Sequence, residues 1–176
     1  EIGLEEISDR TLYRNLERIG DNYNFLIENY QKFIKINNLA SKEQFVDFSS
    51  SYFEGNNSEL GMLGYSRDSQ PGKKQIVWGI STGMNNIPTA LSIQKGNVCD
   101  KTHFNMILKT VSKVLDERSL LIFDCGANTN RNKNKIIELG FNYLTLKAKK
   151  RKTYKKYIGL FEQQTKKGFI VNKRTY

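Results

Sequence analysis

Up to about residue 37 the apolar residues recur every three or four positions, and from Glu43 they recur every second one. The first rhythm predicts helices and the second predicts strands. The stretch "SDRTLYRNLERIG" (8–20) reads as a first helix, with Ser8 placed to cap it and Gly20 to end it. Its apolar residues Leu12, Leu16 and Ile19 fall at i, i+4 and i+7. A second helix is expected over "DNYNFLIENYQKFIKIN", with Asp21 near its start and Leu26, Ile27, Tyr30, Phe33 and Ile34 as its apolar stripe. Residues 37–42 link it to the first strand.

"EQFVDFS", "KQIVWGIS" and "IPTALSI" then alternate as strands, the last two joined by the turn-like "TGMNN" into a hairpin. "DKTHFNMILKTVSKVLDE" predicts an amphipathic helix that Asp100 is placed to cap, with Phe104, Ile107, Leu108, Val111, Val114 and Leu115 on one face. "LLIF" is a continuous apolar run, as expected of a strand covered on both faces. A helix over about 130–139 ended by Gly140, and a last strand in "FNYLTL", complete the order. Three leading strands cannot all use short parallel crossovers and are read as an antiparallel meander. The later strands, each preceded by a helix, join in parallel. The result is an α/β chain with a mixed β-β-β-α-β-α-β sheet, the order of the ribonuclease-H-like fold, behind a small N-terminal helical unit.

Composition permits such a core: 38% of residues are hydrophobic, and ten Phe and nine Tyr are present. No apolar run approaches the roughly 18 residues of a membrane span. The two cysteines, Cys99 and Cys125, stand in unrelated contexts, which fits a reducing cytosol better than a disulfide framework. His103 has no Cys or His at metal-ligand spacing and is read as an ordinary residue of a helix's first turn. Charge divides the chain sharply. Residues 1–146 hold 17 basic and 17 acidic side chains, whereas residues 147–176 hold 11 basic ones and only Glu162, so the whole net charge of +10 lies in the last thirty. That block suits a polyanion such as nucleic acid, and composition alone suits a solvated tail as well. Arg10, Arg14 and Arg18 share one face of the first helix, which fits either phosphate contact or simple solvation.

In a sheet of this order the first strand lies beside the strand that comes after the hairpin and its helix. Asp47 and Asp124, 77 positions apart, would then meet. Neighbouring carboxylates repel unless cations sit between them. Magnesium, or manganese in its place, suits such a pair because it takes oxygen ligands and keeps waters for a substrate phosphate. Two ions about 4 Å apart activate a nucleophile and stabilise the leaving oxygen of a phosphodiester. Taken singly, Asp47 also reads as a solvent-facing strand residue and Asp124 as a turn former before Gly126.

Four stretches carry a likeness to a known family: "DFSSSYFEG" from Asp47, "LGYSRDSQPGKKQIVWGI", "GNVCDKTHF", and "IFDCGANTNRNKNKIIELGFNYLTLKAK" around Asp124. Together they resemble the DDE transposases of bacterial and archaeal insertion sequences, from about Ser8 to Lys150. The resemblance implies that Asp47 and Asp124 are the first two metal-binding acids of an enzyme that cleaves DNA at element ends and transfers the strands. It also implies double-stranded DNA as partner, a homodimer when full length, and a cytoplasmic, nucleoid-associated setting with no membrane. The sequence departs from the family at Phe48, at Ser49 and Ser50 where threonines are usual, at Cys125 where an arginine is common, and at Ser69 and Gln70 in the hairpin.

The family's third acid, a glutamate on a helix beyond an inserted β-rich segment, has no match, since neither Glu138 nor Glu162 fits. With Glu1 rather than Met at its start, the chain is expected to be a piece of a longer frame that stops inside the insertion and is inactive alone. The expected division is 1–40 helical, 43–147 partial catalytic core, and 148–176 basic start of the insertion. "LKAKKRKTYKKY" interleaves Lys147, Lys149, Lys150, Arg151, Lys152, Lys155 and Lys156 with Tyr154 and Tyr157, a pattern suited to phosphates and base stacking. Arg67, Lys73 and Lys74 in the hairpin fit either an extension of that surface or simple solvation of a turn. The competing reading is a DNA-binding remnant that no longer cuts. A nuclease of the same fold acting on RNA–DNA hybrids fits the acids but not the hairpin and "GNVCDKT" segments.

Overall fold

The computed structural model describes residues 7–55, 57–65, 69–147 and 157–160. Its elements are α1 (Asp9–Asp21), α2 (Tyr23–Ile36), β1 (Glu43–Tyr52), β2 (Gln75–Gly83), β3 (Pro88–Lys95), α3 (Asp100–Val111), β4 (Leu120–Phe123), α4 (Asn130–Glu138) and β5 (Asn142–Thr145). The five strands form one sheet in the order β3-β2-β1-β4-β5. β1 and β2 pair antiparallel, as do β2 and β3, whereas β1–β4 and β4–β5 are parallel. Each parallel step is bridged by a helix, α3 and then α4, as parallel pairing requires. This is the ribonuclease-H-like arrangement that the order of elements predicts.

Alternation decides which face of the sheet is covered. Val46 and Phe48 of β1 and Leu121 and Phe123 of β4 point to one face, where they meet Phe104, Ile107 and Val111 of α3 and Ile136 of α4. Phe104 lies between Phe48 and Phe123, with ring centroids 6.4 and 4.7 Å away. Each such fully buried side chain contributes about 1.5–3 kcal/mol. The opposite face shows Phe45 and Leu144, 45% and 59% exposed.

Of the two caps expected from the sequence, the one at Ser8 forms and the one at Asp100 does not. The Ser8 side chain accepts from the Thr11 N–H, and Thr129 accepts from the Asn132 N–H at 3.1 Å. At α3 the cap position falls instead to Cys99, whose carbonyl accepts from Thr102 and His103, and Asp100 becomes the first helical residue. α3 also ends at Val111, earlier than expected; Lys113 and Val114 continue it only through i→i−3 bonds. α4 ends as expected, with Gly140 at a φ of 77°.

Two further expectations change. β4 has one face buried (Leu121, Phe123) and one half-buried (Leu120, Ile122), so among the described residues it is not covered on both sides. In α2 the buried residues are Gln31 and Ile34, while Leu26, Tyr30 and Phe33 stay exposed. The packed face combines Ile34 with polar groups that reach carbonyls of the sheet edge and of α3. Tyr23 donates its hydroxyl to the Leu91 carbonyl, and the Gln31 amide donates to the carbonyls of Thr89 and Thr110. α1 packs on α2, and none of its residues is buried.

A buried polar group ties the first three strands together. Gln44 Oε1 accepts from Thr89 Oγ1 at 2.5 Å and from Ser81 Oγ at 3.0 Å, and Gln44 Nε2 donates to the Ser41 carbonyl at 2.7 Å. Gln44, Ser81 and Thr89 are all fully buried. Gln44→Met is expected to cost about 1–3 kcal/mol in urea unfolding, because two buried hydroxyls lose their acceptor. The triple variant with Ser81→Ala and Thr89→Val recovers most of that loss; a triple variant weaker than the single one contradicts the network's role.

Candidate metal and nucleic-acid site

Asp47 and Asp124 come together through strand register. The parallel ladder of β1 and β4 runs from Glu43 opposite Leu120 to Val46 opposite Phe123. Each aspartate is the next residue along its chain, and neighbouring strands lie about 4.8 Å apart. Both residues are exposed. Each uses one oxygen locally: Asp47 Oδ1 accepts from the Phe48 N–H at 2.8 Å, and Asp124 Oδ1 accepts from the Gly126 N–H at 2.9 Å. The second bond is the turn that Asp124 alone predicts, so the turn role and a ligand role coexist. Thr145 of β5 donates its hydroxyl to the Asp124 carbonyl at 2.9 Å, which fixes the backbone where the strand ends.

Three residues to which the sequence pattern assigned no part in the site lie at the same strand ends. A Cβ built on Gly126 would stand 2.7 Å from Asp100 Oδ2 and 3.1 and 3.3 Å from the two Asp124 oxygens. A side chain at 126 would therefore collide with carboxylates from two segments, which approach the glycine closely. Asn132 of α4, 1% exposed, donates to the Lys101 carbonyl at 3.1 Å and to the Ala127 carbonyl at 2.9 Å, and so binds the start of α3 to the loop after β4. The sequence signal for Asn132 is its i, i+4 relation to the buried Ile136. For Asp100 the pattern offered only a helix start.

The donor set fits a hard divalent cation: oxygen ligands only, on two carboxylates exposed to solvent. Among the described residues no three His, Cys, Asp or Glu side chains are arranged to hold a metal ion directly. Asp47 and Asp124 are the residues that would hold it, with waters completing its shell. Glu138 is exposed at the last turn of α4.

The basic residues fall in several places. Arg10, Arg14 and Arg18 are exposed on α1, an element separate from the strand ends that carry the aspartates. Lys147, just after β5, is exposed, donates to the Tyr157 hydroxyl at 3.2 Å and stands 5.2 Å from the centre of that ring. Lys73 pairs with Glu54 and lies 4.8 Å from the Tyr52 ring centre, so the hairpin holds its charge against its own neighbours. Its pKa is raised, first by the hydrogen bond to Glu54. Arg67, Lys149, Lys150, Arg151, Lys152, Lys155 and Lys156 lie outside the described residues.

His103 is buried as a core residue of α3. Its Nε2 is 2.9 Å from Ser92 Oγ, and its ring lies 5.0 Å from that of Phe48. Cys99 and Cys125 are both exposed. Hydrogen bonding from Thr102, whose hydroxyl is 3.5 Å from the sulfur, holds the Cys99 thiol below its ordinary range, and backbone N–H groups of the first turn add to this.

No known protein family matches the sequence, and no curated protein matches it significantly. Two solved chains are similar in structure. One is the piggyBac transposase in a synaptic complex with hairpin DNA, with a TM-score of 0.48 and 11% identity over 64% of this chain and 24% of that one. The other is the Mos1 transposase in a paired-end complex with the left transposon end, with a TM-score of 0.43 and 11% identity over 92% of this chain and 58% of that one. This chain thus spans about a quarter and somewhat over half of their lengths. No helix among the described residues is long and apolar enough to cross a membrane.

Hydrogen bonds donated to sulfur favour the thiolate, so Cys99 should stay reactive toward iodoacetamide to lower pH than a free thiol. Thr102→Val removes the leading donor, and the midpoint of the rate–pH profile is expected to move up. The same midpoint in both proteins contradicts the assigned cause.

Proposed function

We propose that this chain is part of a DDE-type DNA transposase of the insertion-sequence kind, with Asp47 and Asp124 as two acids of its metal-dependent cleavage and strand-transfer site. The observation that carries the reading is the register, which sets both aspartates one residue past the last parallel pair of β1 and β4. The sequence resemblance assigns the same two residues, and the ribonuclease-H-like sheet supplies the strands they need.

A bound magnesium or manganese ion supplies Lewis-acid chemistry, lowering the pKa of an attacking water or 3′-hydroxyl and stabilising the leaving oxygen. The chain's own residues supply position. The Phe48 and Gly126 N–H groups orient the carboxylates, Thr145 holds the Asp124 backbone, and Asn132 keeps the α3 start against the loop. The basic stretch 147–156 would track the phosphates of double-stranded DNA, with Arg67 and the α1 arginines as further contacts. The third acid of the resemblance would come from outside the described residues, and two copies would act together on two ends. The native setting would be the cytoplasm, on the nucleoid.

The second reading is a transposase remnant that holds DNA without cutting it. It shares the sheet and the basic stretch with the first reading and differs from it only in cleavage.

The test is a magnesium-dependent nicking assay with the full-length protein on DNA carrying its gene and flanks. Asp47→Asn and Asp124→Asn are each expected to lower cleavage by at least about 100-fold, the scale of losing charge stabilisation at a reacting centre, with DNA affinity nearly unchanged. Full cleavage by either variant removes that residue from the site, and tight binding without cuts by the wild type supports the remnant.

A further inference from the structure

Away from the aspartates, α2 and the turn after α3 enclose a cavity of about 190 Å³, lined by Glu28, Gln31, Lys32, Lys35 and Lys113. Three cations and one anion thus border one concavity. Glu28 stands 3.7 Å from Lys113. The side chains of Lys32 and Lys35 have neither an ion pair nor a hydrogen bond among the described residues. They do not cap α2 either, since Asn37 takes the Phe33 carbonyl through both its backbone N–H and its side-chain amide. Gln31, 4% exposed, anchors the wall of the cavity. Its Nε2 donates to the Thr89 carbonyl of β3 at 3.0 Å and to the Thr110 carbonyl of α3 at 2.9 Å, which sets α2 beside Lys113. Its Oε1 is buried and has no hydrogen-bond partner among the described residues. Buried acceptors are nearly always satisfied by protein or by bound water, so this one calls for a donor held in the cavity that Gln31 lines.

We propose that this notch binds a phosphate group, with Lys32, Lys35 and Lys113 holding its oxygens and a water linking it to Gln31 Oε1. Each ammonium offers three donors and no acceptor, and the oxygens of one phosphate accept from several donors at once. The water donates one hydrogen to Oε1 and the other to a phosphate oxygen, which satisfies the buried acceptor. Because the Gln31 amide already fixes α2 against α3, binding orders only the lysine side chains. The source of phosphate that matches the rest of the chain is the backbone of duplex DNA, and for that choice the inference rests on the DNA handling proposed above. α3 begins near the loop after β4, where Asn132 reaches the Lys101 carbonyl, and its other end adjoins the notch. A helix of 12 residues spans about 18 Å, so the notch stands apart from the aspartates. It positions the duplex and takes no part in the chemistry.

The test is the affinity of the full-length protein for the flanking duplex, followed by fluorescence anisotropy of labelled DNA over a range of salt concentrations. The wild type is compared with a triple variant (Lys32→Gln, Lys35→Gln, Lys113→Gln), with Glu28→Gln and with Lys42→Gln, an exposed lysine outside the notch. Melting temperatures are recorded for each. Losing one phosphate contact makes the slope of log affinity against log salt shallower by about 0.9 and lowers affinity about eightfold at 0.1 M salt, and this is expected of the triple variant. Glu28→Gln, which frees Lys113, is expected to bind more tightly, and Lys42→Gln to keep the wild-type slope. An equal loss of slope in Lys42→Gln reduces the effect to net charge and overturns the notch. Calorimetric titration with inorganic phosphate, DNA absent, separates the sources. Phosphate bound by the wild type and not by the triple variant, with equal DNA slopes, supports the phosphate site and removes DNA as its source. Equal DNA slopes and no phosphate binding overturn the notch and leave the DNA handling standing. No duplex binding by any of the proteins overturns the DNA reading, and the phosphate titration then decides the notch by itself.

Discussion

Four residue pairs, from Glu43 opposite Leu120 to Val46 opposite Phe123, join β1 to β4 in parallel, and the candidate site depends on that join. A slip of one residue would turn every β4 side chain to the other face and bury what now lies exposed. The register is held from the covered side, where Val46, Leu121 and Phe123 pack under α3. It is held at its start as well, where Leu120 N–H reaches the Lys42 carbonyl at 2.7 Å. The same packing that makes the core therefore sets where two distant aspartates end.

Acidic groups gathered at a strand end repel one another, and hydrogen bonds of the surrounding structure hold them in place. Amide N–H groups of Phe48 and Gly126 meet one oxygen of each aspartate, and Asn132 bridges two carbonyls across the seam. This leaves carboxylate oxygens toward solvent, where a hard cation and its waters are accommodated. Lys135, on the helix that carries Asn132, is drawn to Asn105 on α3.

Strand order was legible because it depends on patterns that a sequence displays: alternation, continuous apolar runs, and helices between parallel strands. "LLIF" marks β4 to the residue. The buried face of α2 was not legible, since Tyr23 and Gln31 reach it by bonding to carbonyls at the sheet edge, and a hydropathy pattern reads both as polar. Asp100 was hidden differently. An aspartate at a helix start suggests a cap, and only the close approach of Gly126, 26 residues later, shows what else it borders. The apolar stripe of α1 was visible as a period, yet Leu12, Leu16 and Ile19 remain 48%, 62% and 55% exposed. Period alone tells which residues share a face, while burial requires a partner for it.

The central claim is that Asp47 and Asp124 share one cation at the ends of β1 and β4. The most direct measurement is an anomalous difference map from crystals of the protein soaked in Mn2+. The account predicts a peak at about 2.2 Å from a carboxylate oxygen of each aspartate, the distance expected for a small divalent ion bound by oxygen. A peak elsewhere, or a saturated soak with none between the two residues, would contradict it.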